Sequence, residues 1–132
     1  MQEQIKVLIC GGRNYNDKTF AFKFLDWFEK EFGIIAEVIE GGARGTDSIG
    51  REWAESKNDR IKITTVNAEW EKYGKSAGYK RNWAMAELKP DVIIAFPGGL
   101  GTQMMMRIGE DKNIPICQTW LYDWNDVTGN FG

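Results

Sequence analysis

The sequence predicts an α/β domain built in three layers: an open parallel sheet of about five strands with helices on both faces. Three observations carry this. Short apolar, β-branched runs alternate with segments of helical period along most of the chain. Three of those runs end in glycine turns that lead into helical segments. At 132 residues, 42% hydrophobic and 27% charged, the chain has the size and composition of one globular domain, which needs no disulfide or metal to hold it.

Residues 5–10 (I-K-V-L-I-C) are apolar on both faces, as a central strand is, and end in Gly11-Gly12-Arg13-Asn14. Asp17 is placed to cap a helix over 18–32. In that helix Ala21, Phe24, Leu25, Phe28 and Phe32 recur at helical spacing as a core stripe. Phe20, Phe22 and Trp27 fall partly off it and point to a protein interface, and Gly33 is the helix stop. The second strand, 34–39, runs into Gly41-Gly42-Ala43-Arg44-Gly45-Thr46-Asp47, which opens a helix over 48–56. Residues 61–66 (I-K-I-T-T-V) alternate, as a strand nearer an edge does. A polar, aromatic connection over 67–76 leads to a helix over 77–88, with Ala77, Arg81, Ala84, Met85 and Leu88 on related turns, ended by Lys89-Pro90. The fourth strand, 91–96, enters Pro97-Gly98-Gly99-Leu100-Gly101-Thr102; a last helix over 103–111 and a short strand over 114–117 follow. One α/β domain over 1–118 is thus expected, with an aromatic tail over 119–132. The tail carries Trp120, Tyr122, Trp124 and Phe131, which pack either on the domain or on another subunit.

In open parallel sheets ligands sit beyond the carboxyl ends of the strands. All three glycine turns follow strands, so all three belong on that edge. Glycines let a ligand approach the backbone, and the first N–H groups of a helix, with its dipole, attract anions. A phosphorylated ligand is therefore expected at Gly11, Gly12 and Arg13, at Gly42, Arg44, Gly45 and Thr46, and at Pro97, Gly98, Gly99, Gly101 and Thr102. Thr102 serves as an N-cap or as a hydroxyl donor. Arg13 and Arg44 each follow a glycine pair, where a guanidinium forks onto a phosphate or else pairs with Asp17 or Asp47. Asp47 is the acid best placed for chemistry, its alternative being a helix cap. Gly74-Lys75-Ser76 is not a Walker loop, because Glu69 occupies the position of the first glycine; Lys75 either reaches a ligand anion or is solvated. The G-x-G-x-x-G fingerprint is broken by Met104. Trp70 and Tyr73 stack on a nucleobase or close the core under a loop. Met104, Met105 and Met106 suit flexible packing against a neighbouring helix.

The net charge of −2 argues against nonspecific nucleic-acid binding, which needs a basic footprint. The absence of histidine removes the commonest general base and metal ligand, so no metal and no cofactor are expected. Cys10 and Cys117 lie in apolar runs and read as buried free thiols of a reducing cytosol. The first residues lack a signal-peptide layout, and no apolar run approaches the ~20 residues that span a bilayer, so a cytoplasmic location without membrane contact is expected.

Taken in order, Cys10-Gly11-Gly12-Arg13, Gly41-Gly42-Ala43-Arg44-Gly45-Thr46-Asp47, Arg81-Asn82-x-x-Met85 and Pro97-Gly98-Gly99-x-Gly101-Thr102 resemble the motifs of the SLOG superfamily, the Rossmann-like proteins of the Lonely Guy (LOG) and DprA kinds. The fuller pattern, with A-E-W, G-K-x-A-G-x-x-R-N and A-F-P-G-G-x-G-T, is similar to its small bacterial and phage branch and covers residues 5–117. The resemblance implies a Rossmann-like fold, a homodimer or higher homo-oligomer, and a nucleotide-derived ligand. LOG enzymes cleave a nucleoside 5′-monophosphate into free base and ribose 5-phosphate, with an arginine and a glutamate in motifs similar to R-K-x-x-M and P-G-G-x-G-T-x-x-E. Arg81 and Met85 match the first motif, and the resemblance implies that Arg81 and the adjacent Asn82 contact the ligand. In the second, Met105 occupies the glutamate position. A thioether can neither stabilise an oxocarbenium-like sugar nor activate water. The preferred expectation is therefore a sensor, carrier or sequestering protein for a phosphorylated nucleotide derivative. The alternatives are a LOG-like hydrolase using Arg81 with Asp47 and, more weakly, a DprA-like DNA-binding module.

Overall fold

The computed structural model describes residues 4–123, 125 and 127. Five parallel strands form one sheet in the order β3-β2-β1-β4-β5: β1 (Gln4–Cys10), β2 (Ile34–Glu40), β3 (Lys62–Thr65), β4 (Val92–Ala95) and β5 (Ile116–Gln118). Four helices of ten residues or more cover it: α1 (Lys18–Phe32), α2 (Thr46–Glu55), α4 (Ala77–Glu87) and α5 (Leu100–Asp111). A one-turn helix, α3 (Trp70–Tyr73), and a 3-10 turn, Gly74–Ser76, occupy the connection expected to be irregular. The result is the three-layer, Rossmann-like α/β fold read from the sequence.

The alternation of β1 explains the layers. Ile5, Val7 and Ile9 point into a core with Ala21, Phe24, Leu25 and Phe28 of α1 and Ile49, Trp53 and Ala54 of α2. Leu8 and Cys10 point the other way, toward Met85 and Ala86 of α4 and Met105 and Ile108 of α5. A strand segment buried on both faces is apolar, as β1 is from Val7 to Cys10. β3 lies at the edge, as its alternation suggested. Trp53 is fully buried, and its Nε1–H donates to Asp26 of α1 at 2.9 Å.

Several local expectations shift by a few residues. Asp17 caps α1 by accepting from the Phe20 N–H at 3.1 Å, and Gly33 ends it with φ 139°. Phe32, expected in the core stripe, is 53% exposed at the last position of the helix. Phe20, Phe22 and Trp27 pack against the core rather than stand free, and Tyr122 of the tail lies 5.2 Å from Trp27 and 5.6 Å from Phe24, ring to ring. Val127 is buried in the same cluster, while Trp124 and Phe131 lie outside the described residues. In α4 the buried positions are Ala77, Asn82, Met85 and Ala86, so Ala84 and Leu88 face outward. β5 begins late because Pro115 has no N–H to give the ladder; it only accepts, from Ile93 at 2.9 Å. Both cysteines are free, Cys10 buried and Cys117 partly so. Among the described residues no helix is long and apolar enough to cross a membrane.

The topology places a site. The chain leaves β1 toward β2 and β3 on one side, then returns to β4 on the other. The loops after β1 and β4 therefore part company at the carboxyl edge, and such a switch point is where open α/β sheets take ligands.

Candidate functional site

Gly12 ties the three glycine turns together. Its N–H donates to Pro97 O at 2.9 Å, joining the β1 and β4 turns. Its carbonyl accepts from the Thr46 N–H and from Thr46 Oγ1, both at 3.2 Å, joining the β1 and β2 turns. Glycine is needed at Gly45, where φ is 76° and a Cβ would lie 2.5 Å from Arg13 O. It is needed at Gly98 for closeness alone, since a Cβ there would lie 2.6 Å from Gly12 N. Gly45, Thr46, Pro97 and Gly98 thus serve as the frame of the site, and none of them lines its cavities.

Inside that frame lies a chamber of about 330 Å³, walled by Cys10–Arg13, Ala43, Asp47, Arg81, Asn82, Met85, Gly99, Gly101, Thr102 and Met105. It straddles the switch point between β1 and β4. The structure moves the start of the last helix from residue 103 to Leu100, so Gly101 and Thr102 belong to its first turn and Gly99 is the N-cap. Thr102 is consequently not a cap, and no side chain caps α5. The first backbone bond at this end runs from the Gln103 N–H to Gly99 O at 3.1 Å. The N–H groups of residues 100–102 are left without an acceptor on the described chain, at the positive end of the helix dipole.

Arg81 enters this chamber half-buried from α4. Its Nη1 donates to Gly41 O at 2.6 Å and its Nε to Asn82 Oδ1 at 3.0 Å, and Asn82 Nδ2 reaches Gly101 O at 3.4 Å. A chain of bonds thus links the β2 turn, α4 and the start of α5. Burial pulls the Arg81 guanidinium below its ordinary value; Asp47 opposes that and Arg13 adds to it. Asp47 is not the N-cap of α2, a position held by Gly45. It sits one residue into the helix and accepts from the Ala43 N–H at 3.2 Å. Burial pushes its carboxyl up to about 6, aided by the charge of Glu40 and opposed by the Ala43 and Gly41 N–H groups and by Arg81. Burial, with the charge of Asp47, pushes the Cys10 thiol far up, so it is no nucleophile. Met105 is buried at 1% exposure and lines the chamber, closing the wall opposite with sulfur and methyl rather than a carboxylate.

A second chamber of about 390 Å³ shares Arg13, Ala43 and Arg81 with the first and adds Gly41, Gly42, Arg44, Asn67, Ala68 and Trp70. Arg13 lies over the Trp70 ring, 5.6 Å from its centroid, and Arg44 Nη2 donates to Asn14 Oδ1 at 3.2 Å. Neither arginine makes the ion pair with Asp17 or Asp47 that was its alternative role. Trp70 is 49% exposed, so it does not close the core. Lys75 stands exposed on the 3-10 turn and lines neither chamber.

One residue that pattern reading passed over organises this edge. Glu40, the last residue of β2, is fully buried; its Oε1 accepts from the Gly42 N–H at 2.7 Å, its Oε2 accepts from Thr65 Oγ1, and Arg51 stands 3.9 Å away. The available signal was an acid closing an apolar strand immediately before two glycines.

Residues 5–73 of the chain match the YAcAr family, described as the YspA, cpYpsA-related SLOG family. The chain is also similar to the Gene 61 protein of Mycobacterium phage D29, with 36% identity over 118 residues, covering 84% of this chain and 93% of that protein. The matched family segment includes the first two glycine turns and Asp47.

Proposed function

Since the chain belongs to the YspA, cpYpsA-related SLOG family, we propose that it binds a phosphorylated, nucleotide-derived small molecule at the carboxyl edge of its sheet, as a sensor, carrier or sequestering protein. The observation that carries this reading is the uncapped start of α5, whose three free N–H groups adjoin the chamber that Arg13 and Arg81 also line. Anionic oxygens complete such a helix end, and a guanidinium adds the fork geometry that suits phosphate. Met105 favours holding over cutting, because it puts an inert side chain where a hydrolase of the LOG type has its acid. Titration calorimetry of the full chain with nucleoside monophosphates and diphosphates, beside the parent nucleosides, tests this. Nucleotides are expected to bind, nucleosides to bind far more weakly, and Arg81→Ala to remove the difference. Equal binding of nucleoside and nucleotide, or no binding of either, refutes the reading.

A second reading is favoured by Asp47. Asp47 lines the same chamber as Met105 and burial pushes its carboxyl up to about 6, so it can act as a base on water or stabilise a cationic sugar. Under this reading nucleoside monophosphates release free base, and both Asp47→Asn and Arg81→Ala abolish the release. Base release no greater than that of heat-inactivated protein ends it. Oligomerisation rests on the family likeness, since the spare aromatics of α1 are packed within the chain; light scattering measures it directly.

A further inference from the structure

The two chambers differ in charge. The inner one sets Asp47 against Arg13 and Arg81. The outer one is lined by Arg13, Arg44 and Arg81 and by no carboxylate. The chain has six arginines in a molecule of net charge −2. Arg51 and Arg60 are each within 4.0 Å of a glutamate. Of the four with no ion pair among the described residues, three converge on this one chamber. Arg44 is held by a neutral amide oxygen and Arg13 by an aromatic face, contacts that fix a guanidinium without neutralising it. Burial and the charge of Arg13 lower the pKa of Arg81, while the charges of Asp47 and Glu40 raise it. A single phosphate on the start of α5 would answer Arg13 and Arg81, which line both chambers, and leave Arg44 uncompensated.

We propose that the ligand carries two phosphoryl groups, one seated on the α5 N-terminus and the second held in the outer chamber by Arg44 and Arg13. This rests on the nucleotide-binding reading above and narrows its ligand class to nucleotides with a pyrophosphate or with two separate phosphates. The two chambers share Arg13, Ala43 and Arg81, so they lie side by side and a single molecule that passes these residues would reach both. Arg44 is the discriminating residue, because it lines only the outer chamber, is exposed, and belongs to neither hydrophobic core.

The test is calorimetry on the full chain with AMP, ADP and adenosine 3′,5′-bisphosphate, repeated with the guanosine series, for the wild type and for Arg44→Ala. In at least one series a ligand with two phosphoryl groups is expected to bind at least about tenfold more tightly than the monophosphate, the scale of one added charge-assisted contact. Arg44→Ala is expected to remove that advantage and leave monophosphate affinity within about twofold, with an unchanged melting temperature. Which of the two doubly phosphorylated ligands gains more separates a pyrophosphate from two distant phosphates. Monophosphates binding as tightly as both of them, or Arg44→Ala weakening all ligands by one factor, overturns the proposal while nucleotide binding itself survives. Failure of every nucleotide to bind overturns both.

Discussion

Replacing Asp47 by asparagine tests the electrostatics of the site without touching its shape. Asp47 is 8% exposed, and burial raises the pKa of its carboxyl from 3.8 to about 6. The native state therefore holds a proton over a pH range in which the unfolded chain has lost it. Stability contributed at this position falls as pH rises from about 4 to about 6 and stays low above that, the reverse of a salt-bridged carboxylate. Two pH units at 1.36 kcal/mol each make the penalty about 3 kcal/mol at pH 8. Asparagine never ionises and so escapes it. It keeps one acceptor oxygen for the Ala43 N–H but loses the second, which costs about 1 kcal/mol at any pH. The variant is thus expected to be slightly less stable than the wild type at pH 4 and more stable at pH 8. The difference between them should change by roughly 2–3 kcal/mol across the range, equivalent to several degrees of melting temperature. Chemical denaturation of both proteins from pH 4 to 8 measures this, because the titration of every other carboxylate cancels in the difference. A stability difference that stays constant with pH, or one that favours the wild type at pH 8, would show that Asp47 is not desolvated and that the inner chamber is open to water.

Two further perturbations probe the frame. Gly45→Ala must strain a φ of 76° and press a methyl against the Gly12 and Arg13 carbonyls, so it should cost about 2–4 kcal/mol of unfolding free energy and weaken nucleotide binding with it; a loss below about 1 kcal/mol would refute the tight apposition of the turns. Asp17→Ala removes the one side-chain cap of α1 and should lower stability by about 1 kcal/mol without altering ligand affinity, as seen by denaturation and calorimetry on the same preparation.

Much of the fold was legible because its determinants are local. The two-sided apolarity of Ile5, Val7, Leu8 and Ile9 is visible in six consecutive residues, as are the Asp17 cap and the Gly33 stop. The glycine turns were legible for the same reason, and strand-then-helix order placed them on one edge. What the helix pattern misjudged lay at element ends. Phe32 has the right period, but at the last position of α1 only Phe28 and Trp27 of its own helix stack on it and it stays 53% exposed, and α5 starts three residues early, at Leu100, with Gly101 in its first turn.

The sequence by itself determined the layered α/β architecture, the three corners and the arginines beside them, because period and turn chemistry are written in neighbouring residues. Only the tertiary structure decided which candidates line the chambers and which brace the frame around them. Thr46 bonds Gly12, thirty-four positions away, and Arg81 bonds Gly41, forty positions away, while Lys75 is left outside. It also decided that Tyr122 covers α1 and that Asp47 is desolvated beside Glu40 and Arg81. The reason is that burial, charge coupling and backbone apposition depend on the strand order β3-β2-β1-β4-β5, which brings distant segments together and which no local pattern encodes.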